Sequence, residues 1–119
     1  MIEKLEQSPD FFKERGEKFQ ELWNKSFPYL EGIISVSQLP EEVKIEMKEA
    51  LSASSERISK EIKTSPYADP GPMARSAVIG ILQVVDRFEG KDGIDKKELD
   101  DLFASLKKEI WEMFEISGL

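Results

Sequence analysis

No cysteine and no histidine occur anywhere in the chain. Without thiols there is no disulfide, no cysteine nucleophile, no zinc finger and no iron–sulfur ligand set. Without imidazole the usual general base near neutral pH is gone, together with the commonest transition-metal ligand. Long apolar runs are missing too. The longest, Ala77 to Val85, is interrupted by Gln83 and is far too short to cross a bilayer, so no membrane role is expected. Met1 to Gln7 is charged and lacks an apolar stretch, so no secretory signal is expected and a cytoplasmic location fits best.

An excess of positive charge is also lacking. The 17 Lys and Arg are outnumbered by 24 Asp and Glu, giving a net charge of −7, and acid exceeds base in both halves. Affinity for nucleic acid rests on cations that neutralise phosphates, so nucleic acid and anionic membranes are disfavoured as partners. What is present is a 39% apolar fraction in 119 residues, enough for one modest core and hence for a single domain over 1–119.

Apolar residues recur three and four apart, the helical period, and no strand-like alternation appears. Ser8-Pro9-Asp10 is a helix start, with Ser8 as N-cap and Pro9 in the first turn, where its missing N–H costs nothing. Phe11, Phe12, Phe19, Leu22 and Trp23 then share one broad face to about Ser26, after which Phe27-Pro28 resets the chain into a short helix holding Tyr29, Leu30, Ile33 and Ile34. Pro40 opens a longer segment with a stripe of Val43, Met47, Leu51, Ile58 and Ile62, and with Ala50 and Ser54 where a neighbour can approach closely.

Residues 65–72 contain three prolines and a glycine and read as a stiff surface loop, with Tyr67 and Asp69 as candidate partner contacts. Met73 to Phe88 is apolar over half its circumference, Leu82 included, and should be the most buried helix. After a turn at Gly90 to Gly93, Asp95 and Glu98 form a capping box, with Ile94 stapled onto Leu99. The last helix carries Leu99, Leu102, Phe103, Leu106, Ile110, Met113 and Phe114, and Gly118 ends it. The expected fold is all-α, an antiparallel up-and-down bundle of four main helices plus one short helix.

Three constellations invite chemistry. Asp92-Gly93-Ile94-Asp95 before Glu98 resembles the end of a calcium loop, but with Glu98 as the twelfth residue the first and fifth become Arg87 and Lys91, and the oxygen cage fails. Glu42, Glu46 and Glu49 lie on adjacent turns and, with Glu89 and Asp92, are the carboxylates an Mg-dependent all-α nucleotide hydrolase would need. No nucleophile or base accompanies them. Ser52 to Ser55 inside 40–64 can be drawn as the turn of a helix-turn-helix, with Arg57, Lys60 and Lys63 facing outward as in a DNA-binding regulator. Against this, the apolar stripe runs in phase from Val43 to Ile62.

Ile45, Ile79 and Trp111 fall off the apolar stripes of their helices. Together with the aromatic face of Phe11, Phe12, Phe19 and Trp23 they exceed what a small bundle easily hides. By elimination of chemistry, the leading expectation is a non-enzymatic bundle without cofactor or metal that binds protein. Self-association as a homodimer through Phe11, Phe12, Trp23 and Trp111 is its expected form, with Ile45, Tyr67 and Ile79 as further contacts. The DNA-binding regulator is the second reading and the nucleotide hydrolase the third.

Overall fold

The computed structural model describes residues 9–65 and 68–118, with side chains from residue 12 onward. Four helices account for most of these residues: α1 (Pro9–Val36), α2 (Glu41–Thr64), α3 (Pro70–Phe88) and α4 (Lys96–Gly118), and no strand occurs among the described residues. Each helix packs on two neighbours, α1 on α2 and α4, α3 on α2 and α4, and α1 and α3 barely meet across the middle. Opposite helices touch little because the centre is filled by side chains. Phe19, Trp23, Leu30 and Ile34 of α1, Val43, Met47, Leu51 and Ile58 of α2, Ala74, Ile81, Val85 and Phe88 of α3, and Leu99, Leu106 and Ile110 of α4 form one continuous buried cluster.

Specific pairs fix how neighbours run past one another. Gln20 donates to Ser59 at 2.9 Å and Trp23 to Ser55 at 2.7 Å between α1 and α2. Between α2 and α3, Arg57 bonds Ser76 and Arg87 bonds Glu46. Gly71 lies beside the Phe114 ring, and Gly118 beside the Arg15 guanidinium.

The expected short helix does not exist as a separate element, because α1 runs unbroken through Pro28. A proline inside a helix forfeits one backbone bond and costs about 3 kcal/mol. Phe19, Trp23, Phe27, Leu30 and Ile34, however, stay on one face across it, and burying a Leu or Ile side chain returns about 1.5–3 kcal/mol each. Two such residues beyond the proline offset its penalty, and the exposed ring faces water. The start of α1 at Pro9 agrees with the sequence signal, while Ser8 lies outside the described residues.

Helix α3 begins at Pro70, inside the expected loop, and the described residues just before and at its start are more deeply seated than a surface loop. Asp69 caps α3 by accepting the Gly71 N–H at 3.0 Å, so Pro70 and Pro72 sit in the first turn, where no N–H is needed. Ala68 and Pro70 are buried. A methyl group built on Gly16 of α1 would overlap the Ala68 carbonyl oxygen and lie 3.0 Å from Ile62 Cδ1, so the glycine is what lets the loop close onto the helix.

At the other connection, Gly90 and Gly93 both take positive φ, 82° and 83°, which L side chains rarely adopt. Asp95 then caps α4 by accepting from the N–H of Lys97 and Glu98 at 2.9 and 3.3 Å. The reciprocal half of the capping box is replaced: Glu98 Oε1 accepts the Gln38 N–H at 2.9 Å and ties α4 to the α1–α2 connection.

Candidate interaction surface

The aromatic face of α1 is core. Phe19, Trp23 and Phe27 follow one another at one-turn spacing, with ring centroids 6.2 and 6.3 Å apart, and Trp23 has no exposed surface. Trp23 therefore offers no surface to a partner, contrary to the sequence expectation. Its indole N–H is satisfied by Ser55, so a tryptophan that looked surplus on one helix is covered by the next. Phe12 is half-buried, while the Phe11 side chain and Tyr67 lie outside the described residues.

Trp111 is half-buried and packs edge-on against Phe114, ring centroids 5.6 Å apart, on the margin of the core. Ile45 and Ile79 stand in solvent, 50% and 46% exposed, as their helical phase implied. Sequence reasoning missed the others. Leu82, expected on the buried half of its helix, is 38% exposed, and Tyr29, Val36 and Ile116 are exposed as well. Leu82 sits at the edge of a wide apolar arc, and the width of that arc says nothing about where the neighbouring helix stops covering it.

These residues do not converge. Val36 and Tyr29 lie two turns apart on α1, Ile116 is near the far end of α4, and Ile45 is alone on α2. Ile79 and Leu82 are the exception. They are the only two large apolar residues that are exposed within one turn of each other among the described residues.

The serine cluster does not bend the chain. Helix α2 continues unbroken from Glu41 to Thr64, so no helix-turn-helix forms at 52–55. Ser54 is buried at the contact with α3, Ser55 serves Trp23, and Ser52 faces water.

The acidic side chains are mostly engaged or dispersed. Glu46 accepts from Arg87 Nε at 2.9 Å across the α2–α3 cleft, Glu89 pairs with Lys96 at 3.6 Å, and Glu42, Glu49 and Asp92 are exposed. Among the described residues no group of three or more Asp or Glu stands close enough to hold a metal ion. The cleft holding Glu46 and Glu49 is also lined by Ala50, Ala53 and Gly80, and its lining includes no nucleophile beyond Ser54. Arg57, once a candidate for a DNA-facing surface, is tied to Ser76 of α3. Among the described residues no helix is long and apolar enough to cross a membrane.

Comparison with protein-family models, with curated proteins and with solved structures finds no match to this chain.

Proposed function

We propose that the chain is a non-enzymatic, antiparallel up-and-down helical bundle, one domain over 1–119, that acts by binding protein and in its simplest form binds a second copy of itself. The antiparallel order is supported by pairs whose numbers run in opposite senses: 20 with 59 and 23 with 55, 46 with 87 and 57 with 76. A cytoplasmic setting is consistent with a chain that holds no cysteine and no helix, among the described residues, able to span a bilayer.

One observation carries the reading. Ile79 and Leu82 remain in water side by side on α3 although the rest of that helix is the most apolar in the fold, with nine buried residues. Single exposed apolar residues are ordinary, whereas adjacent ones on a rigid helix form the kind of patch that protein contacts use. Trp111, half-buried, and Ile45, exposed, serve as secondary contacts in this reading.

Sedimentation velocity from micromolar to near-millimolar concentration tests self-association. A concentration-dependent rise in sedimentation coefficient is expected, and one sharp monomer boundary throughout would refute the homodimer.

A further inference from the structure

We propose that the outward face of α3 is a self-association seam on which two copies of this chain pair antiparallel. This inference rests on the self-binding reading above and specifies its surface. Arg75, Ile79, Leu82 and Asp86 are spaced four, three and four residues apart, so they fall on one narrow stripe, and all four are exposed. That spacing is the seam of a coiled coil.

The stripe is electrostatically directional. Its ends are a cation and an anion, and neither Arg75 nor Asp86 has a hydrogen-bond or ionic partner among the described residues. With a rise of about 1.5 Å per residue the two residues stand about 16 Å apart along the helix axis, with the midpoint between Ile79 and Leu82. A two-fold axis through that midpoint brings Arg75 of one copy to Asp86 of the other, twice, and sets Ile79 against Leu82, twice. Parallel pairing would instead oppose Arg75 to Arg75 and Asp86 to Asp86. The surface is thus complementary to itself in one orientation, which identifies a second copy as its occupant.

The margins fit the same partner. Phe114 lies beside Gly71, so Trp111, one turn back along α4, stands about level with Arg75, one turn on along α3. Paired in this way, its half-buried ring would extend the apolar strip at the cationic end. A single seam of this length is small against the roughly 800 Å² per partner of standard interfaces, which places the dimer at the weak, exchanging end of the range.

Charge exchange tests the proposal in the intact chain, with circular dichroism confirming unchanged folding of these surface variants. Arg75→Glu and Asp86→Arg should each raise the dissociation constant about tenfold, because the two-fold repeats every altered contact. The double variant R75E/D86R should recover near wild-type association, since its swapped charges still pair antiparallel. Association of wild type that neither single change weakens would overturn this seam while leaving self-binding through another face intact. A double variant as weak as the singles would overturn the antiparallel pairing. A wild-type chain monomeric up to the millimolar range would sink the seam and the homodimer together.

Discussion

The indole N–H of Trp23 donates to the hydroxyl of Ser55 across the α1–α2 contact at 2.7 Å. The ring has no exposed surface, and an indole nitrogen can only donate, so this bond keeps a buried polar group from being stranded.

Removing the acceptor therefore costs more than the bond alone. Ser55→Ala should destabilise the fold by about 1–3 kcal/mol, the range for an unsatisfied buried donor, although alanine is the better helix former. Ser52→Ala, on the solvated side of the same helix, should be neutral or slightly stabilising. Urea denaturation followed by tryptophan fluorescence separates the two, and equal midpoints would show that the indole is satisfied elsewhere.

Three helical glycines give opposite signs under one substitution. Gly16→Ala should destabilise, because the added methyl collides with the Ala68 backbone carbonyl, which cannot rotate away like a side chain. Gly32→Ala and Gly80→Ala meet nothing within 4 Å and should each stabilise by about 0.5–1 kcal/mol through helix propensity. Thermal melting of the three single variants reads the signs directly.

Pro28 interrupts the hydrogen bonding of α1 on its exposed side. Pro28→Ala should restore an N–H to the ladder and raise stability by about 1–3 kcal/mol, less than the full propensity difference because the unfolded chain also gains freedom. A loss of stability in chemical denaturation would mean that packing of Leu30 and Ile34 requires the bend a proline imposes.

Asp95 and Glu98 do different work at the same first turn of α4. Asp95→Ala removes the α4 cap and should cost about 1 kcal/mol. Glu98→Ala should leave that cap in place and instead speed hydrogen exchange at the Gln38 amide, which it accepts from. Residue-resolved exchange that leaves Gln38 unchanged would exclude the cross-connection.

Much of the architecture was legible because it is local. Helix starts at Pro9 and after Asp95 and the stripes of α2 and α4 all follow from residues three or four apart, whereas the unbroken run of α2 through its serines was decided by the structure. The interaction set was read less well. Phase correctly put Ile45 and Ile79 off the core faces, yet it placed Trp23 in a surplus aromatic surface and Leu82 in the buried half of α3. Helical phase says which residues share a face. It does not say how far the next helix extends over that face.

By itself, then, the sequence determined the helical class, the Asp95 cap and the composition that leaves no thiol or imidazole chemistry, since each depends on residue identity and short-range geometry. Only tertiary packing decided that α1 passes through Pro28, that Gly16 admits the Ala68 loop, that Glu98 reaches Gln38, and that Ile79 and Leu82 are left in water. These outcomes join segments far apart in the chain, and burial gained between helices outweighs the local preferences that a single stretch of sequence expresses.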